Sequence, residues 1–207
     1  MEQIKNIILD LGGVLINLDF QKLNESLKKL GLENAFSKTE QIDLFDKLEE
    51  GKISEDFFLT EFKKLTTNKH SNKEIIDAWN SILLDFPIER IELLEYLGEK
   101  YRLFLFSNTN SMHIKEVYNI LNRSYGIKNL NPYFEKIYLS NELGIRKPKV
   151  EGFKQIITSH NLKLNETLFI DDSPQHVSGA KDAGLRAELL DVEKEDINNL
   201  VKRLSLI

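Results

Sequence analysis

The chain has 207 residues, 41% of them hydrophobic and 29% charged, with a net charge of −5. That length fits one domain, or one domain carrying a sizeable insertion, and the apolar share supports a packed core rather than disorder. The acidic balance, with no basic patch, points away from nucleic acid; an anionic substrate would need positive charge placed locally.

Cysteine is absent, which excludes disulfides, a thiol nucleophile and a Cys-zinc site. No apolar run approaches the ~20 residues of a membrane span. The N-terminal run also lacks the basic flank and small-residue cleavage site of a signal peptide. The expectation is a soluble cytoplasmic protein with no membrane or nucleic-acid partner, and a monomer is favoured.

In chain order, Ile7, Ile8 and Leu9 are contiguous and apolar, as in a parallel strand over 5–10, and they run into Asp10 and then Gly12-Gly13. A carboxylate at the end of a buried strand lies at the sheet edge where ligands bind. From about 20 to 98 the period turns helical. Leu23, Leu27 and Leu30 share one face, Phe45 and Leu48 another, and Ile75, Ala78, Trp79 and Ile82 another. Ser54-Glu55-Asp56 reads as an N-cap leading into Phe58, Phe62 and Leu65.

Alternation then resumes. Leu103 to Phe106 is a strand ending at Ser107, with a helix over 111–121. Lys136 to Ser140 is a third strand, followed by a loop with Gly144 and Pro148 and a helix over 149–160. Thr167 to Ile170 is a fourth strand, ending on Asp171-Asp172 before a helix that carries Gly179 and Ala180. The pattern predicts an α/β fold: a Rossmann-like parallel sheet with right-handed crossovers, interrupted by a helical insertion. The expected division is a core of 1–18 and 99–207 with an inserted α-helical cap over 19–98.

Four polar clusters stand at strand ends: Asp10, Ser107-Asn108-Thr109-Asn110, Arg146-Lys147-Pro148 and Asp171-Asp172. Singly, each reads as a turn, a cap or a surface loop. Jointly, at one carboxyl edge, they describe a site. Three converging carboxylates form a hard-oxygen set suited to Mg²⁺. Ser107 and the backbone N–H groups after it make an anion cradle at a helix start. Lys147 adds a point charge. Metal, hydroxyl, lysine and carboxylate together suit phosphoryl transfer through an aspartyl-phosphate.

On these residues the chain resembles the haloacid dehalogenase-like hydrolases, which are mostly phosphatases. The first motif of that family is three apolar residues, Asp-x-Asp-Gly and two more apolar or Thr residues. Ile7-Ile8-Leu9-Asp10-Leu11-Gly12-Gly13-Val14-Leu15 matches it except at Gly12. Phe106-Ser107-Asn108, Lys147-Pro148 and Ile170-Asp171-Asp172-Ser173 match the other three motifs. Within the family the chain is most similar to bacterial α-D-glucose-1-phosphatase-like members. The resemblance implies Asp10 as nucleophile and Mg²⁺ ligand, with the carbonyl of Gly12, Asp172 and Asp171 as further ligands. It implies Ser107 and Asn108 on the phosphoryl group and Lys147 neutralising both. The substrate it implies is a small phosphorylated metabolite, most simply a sugar phosphate.

Gly12 replaces the Asp that protonates the leaving alcohol in most such phosphatases, a role worth about 10²–10⁴-fold. Three readings stay open. The leaving group is acidic, such as a sugar anomeric oxygen; or another group gives the proton, with Asp19, Glu49, Glu50 and Lys52 as candidates; or the protein is a weak or non-catalytic metabolite binder. Asp19 is more simply an N-cap. A metal-free dehalogenase would leave Asp171-Asp172 unexplained, and a phosphoacceptor signalling module would place its acidic pair before the acceptor Asp. Lys52, at a turn between cap helices, is a substrate-specificity candidate. Phe57, Phe58, Phe62 and Trp79 read most simply as cap core, with one or two of them able to line the substrate pocket, and His113 and His176, near the motif loops, read as helix-surface residues more simply than as proton shuttles.

Overall fold

The computed structural model describes residues 3–33, 41–66 and 69–207. Five strands, β1 (Asn6–Leu9), β2 (Arg102–Ser107), β3 (Lys136–Leu139), β4 (Thr167–Asp171) and β5 (Arg186–Leu189), form one parallel sheet in the order β3-β2-β1-β4-β5. β1 lies between β2 and β4, with Ile8 level with both Phe104 and Phe169. The order reverses beside β1, so the strand ends around Asp10 open into the crevice where such sheets take ligands.

Both faces of the sheet are covered, which is why the strands read as unbroken apolar runs. Ile7, Leu9, Leu103, Leu105, Leu168 and Ile170 pack into one layer with α5 (Ile88–Gly98), α6 (Ser111–Tyr125) and α10 (Ile197–Arg203). Ile8, Phe104, Phe106 and Phe169 point the other way, onto α8 (Val150–Ser159) and α9 (Pro174–Asp182). The two-residue period of side-chain direction divides one strand between two cores.

Between β1 and α5 stand α1 (Phe20–Lys29), α2 (Asp43–Glu49), α3 (Glu55–Leu65) and α4 (Asn72–Asn80). Asp19 caps α1 by accepting from the Lys22 N–H at 2.8 Å, and Ser54 caps α3 through the Phe57 N–H. Ser71 and Glu74 form a capping box on α4. These helices bury their own cluster of Leu23, Leu27, Phe45, Phe58, Phe62 and Trp79. Phe57, expected in that cluster, is 50% exposed. α5 differs from α1–α4: Phe86, Ile91, Leu94 and Leu97 pack into the sheet layer.

The expectation that His113 lies on a helix surface is corrected. It is buried on α6, stacked on Trp79 with ring centroids 4.8 Å apart, and its Nε2–H donates to the Trp79 carbonyl at 3.1 Å. Burial pushes its pKa down to about 4, with the bond to Trp79 opposing. The unfolded chain therefore binds a proton here before the folded chain does. Stability is expected to fall as pH drops from about 6.5 through 4, by roughly 3 kcal/mol when complete. Denaturant titrations from pH 7 to 4 check this; an acid-side slope equally steep in His113→Phe would contradict it.

Candidate active site

Every polar cluster expected at the carboxyl edge reaches it. Asp10 follows β1, takes its backbone hydrogen bond from its N–H to the Ile170 carbonyl, and is nearly buried. The ammonium of Lys147 lies between two carboxylates, 2.7 Å from Asp10 Oδ1 and 2.6 Å from Asp171 Oδ2. It is enclosed by the Phe106 and Phe169 rings, 5.5 and 5.4 Å from their centroids. Asn108 holds this lysine by its backbone: the amide accepts from the Lys147 N–H at 2.8 Å and donates to its carbonyl at 2.9 Å. The Asn108 side chain, expected on a phosphoryl group, is thus committed to the Lys147 loop.

Ser107 ends β2, buried and facing the same cavity. The loop after it is fixed by Ser140 on α7 (Ser140–Leu143), which accepts from the Thr109 N–H at 2.9 Å and donates to the Thr109 carbonyl. Asn110 then caps α6 through the His113 N–H.

The electrostatics follow from burying several acids around one lysine. Burial pushes Asp10 up to about 8; Lys147 pulls it down, while Asp171 and Asp172 push it further up. Burial would also raise Asp171, but Lys147 and His176 outweigh it and its carboxyl sits below its ordinary value. Burial opposes the charge on Lys147, yet the two carboxylates hold its pKa above the usual lysine value. The cluster is short of positive charge, the condition that favours a bound cation.

Ligand atoms of Asp10, Asp171 and His176 lie within 4.8 Å of one another. Asp172 is outside that trio but lines the cavity. Its carboxylate lies so near the backbone that a Cβ on Gly13, whose φ is +73°, would sit 2.5 Å from Oδ2. Gly12 also lines the cavity, and a Cβ there would meet Leu18 Cδ1 at 3.0 Å. Leu18 thus fills the space beside residue 12.

His176 does not lie on the helix surface, as the sequence reading has it. It is mostly buried, its Nδ1–H donating to Asp171 at 2.9 Å and its Nε2 facing Asn108 at 3.4 Å. A histidine two residues into a helix that starts beside an acidic pair was the available signal. Lys52 is not brought to the cavity; it is exposed and paired with Glu50 at 2.6 Å. The insertion contributes Gln41, Asp46 and Glu49 instead, opposite the core's Arg146. Arg146 pairs with Asp46, and with Glu49 Oε2 at 2.8 Å. Lys149 pairs with Glu50, and a Cβ on Gly51 would overlap the Asn141 carbonyl at 2.0 Å, so the turn after α2 rests on α7. The resulting cavity is about 510 Å³, of a size for a small metabolite.

No helix among the described residues is long and apolar enough to cross a membrane. The sequence is 34% identical over 184 residues to D-ribitol-5-phosphate phosphatase of Bacteroides thetaiotaomicron, covering 87% of this chain and 89% of that one. A HAD family enzyme of Bacteroides thetaiotaomicron, an Asp-to-Ala variant in complex with magnesium and inorganic phosphate, superposes with a TM-score of 0.88 at 37% identity. That match covers 95% of this chain and 98% of that one. A predicted HAD-like family hydrolase of Porphyromonas gingivalis superposes with a TM-score of 0.87 at 30% identity, over 99% and 98% of the two chains. Residues 4–184 match the family described as haloacid dehalogenase-like hydrolase, and with the sheet order and the strand-end site already seen, the chain belongs to that family.

Proposed function

We propose that the protein is an Mg²⁺-dependent phosphatase acting on a small phosphorylated sugar or polyol by way of an aspartyl-phosphate on Asp10. The observation that carries this reading is the Lys147 ammonium bridging Asp10 and Asp171 at a cavity that Ser107 also lines. The phosphatase similar to this chain supports the substrate class.

The residues fit a hard divalent cation, because buried carboxylates outnumber the lysine that balances them and oxygen donors suit Mg²⁺. Asp10, Asp171, Asp172 and the Gly12 carbonyl would hold it. Bound there, Mg²⁺ would offset the charge of the phosphoryl oxygens and of Asp10. Asp10 attacks phosphorus as nucleophile, Ser107 hydrogen-bonds a phosphoryl oxygen, and Lys147 neutralises the negative charge between them. Asn108 and His176 keep Lys147 and Asp171 in place.

Helices α1–α4 act as a cap over this pocket, excluding water from the reacting groups. The packing of α5 with the sheet supports ending the cap near residue 86 rather than at 98. A non-catalytic metabolite binder is favoured by one observation, the Leu18 side chain in the space beside Gly12.

Phosphate release from ribitol 5-phosphate and a panel of sugar phosphates, in Mg²⁺ and in EDTA, decides between the two. Turnover that needs Mg²⁺ and vanishes in Asp10→Asn is expected. Turnover indifferent to EDTA, or tight binding of the whole panel without release, would sink the phosphatase reading.

A further inference from the structure

Hydrolysis of an alkyl phosphate at neutral pH needs a proton for the departing alkoxide, and Gly12 brings none. The titratable groups lining the cavity narrow the source. Asp10 is committed to phosphorus. Lys147 is held by Asp10 and Asp171, and Asp172 lies against Gly13 within the acidic cluster. His113 donates its Nε2–H to Trp79, and His176 donates its Nδ1–H to Asp171, so each imidazole has its one proton engaged. Asp46 has its side chain 41% exposed, and its Oδ1 accepts from both Arg146 and Gln41.

Glu49 remains. It is buried on the last turn of α2 and lines the cavity. Its Oε2 accepts from Arg146 Nη2 at 2.8 Å and from Gln41 Nε2 at 3.0 Å. Its Oε1 accepts no hydrogen bond among the described residues. One oxygen is therefore fixed, and the other has no partner among the described residues. We infer that Glu49 is the general acid and base of this enzyme, supplied by the cap in place of the missing side chain at residue 12.

In the first step the Asp10 oxygen bonds to phosphorus while the bond from phosphorus to the leaving oxygen breaks. That oxygen keeps the electron pair and takes the proton of the Glu49 carboxyl. In the second step the Glu49 carboxylate takes a proton from water as the water oxygen bonds to phosphorus. The phosphorus–Asp10 bond breaks, and inorganic phosphate and the starting protonation state are restored. Burial pushes the Glu49 carboxyl above its ordinary value, with Arg146 and Gln41 opposing and Asp46 adding to the rise, a direction that favours the protonated form.

The inference rests on the phosphatase reading, and leaving-group dependence separates the two. The kcat of Glu49→Gln is expected to drop about 10²–10⁴-fold on ribitol 5-phosphate. With p-nitrophenyl phosphate, whose phenolate leaves with little help, the single-turnover rate of phenolate release is expected to fall at least about tenfold less than that of ribitol release. The alkaline fall of kcat on ribitol 5-phosphate should disappear in the variant, and Glu49→Asp should recover part of the rate. Equal losses in the two single-turnover release rates, or a change in KM alone, overturns the assignment even if the wild type is a phosphatase. A wild type inactive on both substrates with Mg²⁺ present overturns the phosphatase reading and this inference together. Thermal melts of Glu49→Gln guard against misfolding: a variant that melts with the wild type and keeps full kcat on ribitol 5-phosphate also overturns it.

Discussion

Asp10→Asn is expected to silence turnover by on the order of 10⁴-fold or more, while raising the melting temperature of the metal-free protein. The loss of activity is what the proposed role of Asp10 as nucleophile requires. The gain in stability follows from the cost of burying an ionised carboxylate beside Asp171 and Asp172. The folded pKa of Asp10 is pushed up to about 8 from 3.8, burial being the largest cause and Lys147 opposing it. A group whose pKa is raised on folding binds its proton more tightly in the folded state, so wild-type stability falls as pH rises from about 4 through 8. Asparagine carries no such charge, so the variant's advantage is absent near pH 4 and reaches a few kcal/mol above pH 8. Saturating Mg²⁺ offsets the same charge and should narrow the gap. Scanning fluorimetry in EDTA and in Mg²⁺ at pH 5, 7 and 9 reads all of this. An Asn variant melting below wild type at pH 9 in EDTA would mean that Asp10 is not under electrostatic stress.

Lys147→Met should be costly in both respects. It leaves two buried carboxylates without their shared cation, and breaking a buried ion pair from one side costs about 3–5 kcal/mol. The aromatic contacts of Phe106 and Phe169 suit the stem of methionine, so packing is largely kept and the loss reports on charge. With the charge gone from the phosphoryl site, kcat is expected to fall at least about 10²–10³-fold. Urea denaturation in EDTA gives the stability change and phosphate release gives the rate. A variant within about 1 kcal/mol of wild type would show that water, not the lysine, balances these acids. Asp10→Asn and Lys147→Met thus move stability in opposite directions while both abolish activity, which a general packing defect would not do.

What could be read from the sequence followed from burial on both faces. β1, β2 and β4 are continuous apolar runs, and each announces the polar residue at its end. β5 escaped because Arg186-Ala187-Glu188-Leu189 mixes polar and apolar residues at a sheet edge. The helix α10 escaped too, although Ile197, Leu200 and Val201 carry a helical spacing. α5 fell inside the stretch read as a helical insertion, yet it packs with the sheet. Its periodicity reports a buried face and not the element that buries it.

The site divides in the same way. Residues 10, 107, 147, 171 and 172 converge because parallel strands share one carboxyl edge, so local patterns located them. The pairing of Arg146 with Asp46 and Glu49 spans almost half the chain and leaves no local trace. Asn108 and His176 were visible as polar residues, but their use as clamps on Lys147 and Asp171 depends on distances that no spacing encodes.

The split packing of β1 has a consequence for how chain length can vary in this lineage. Ile7 and Leu9 belong to one layer and Ile8 to the other, and neighbours on both sides fix the strand in register. One residue inserted or deleted ahead of Asp10 would invert every side chain of the strand and turn the Asp10 carboxylate away from Lys147. The N-terminal strand therefore acts as a ruler with no slack. Insertions and deletions accepted by evolution, or chosen by an engineer, belong instead in the turns of the helical insertion, where they can reshape the pocket rim without changing the position of Asp10.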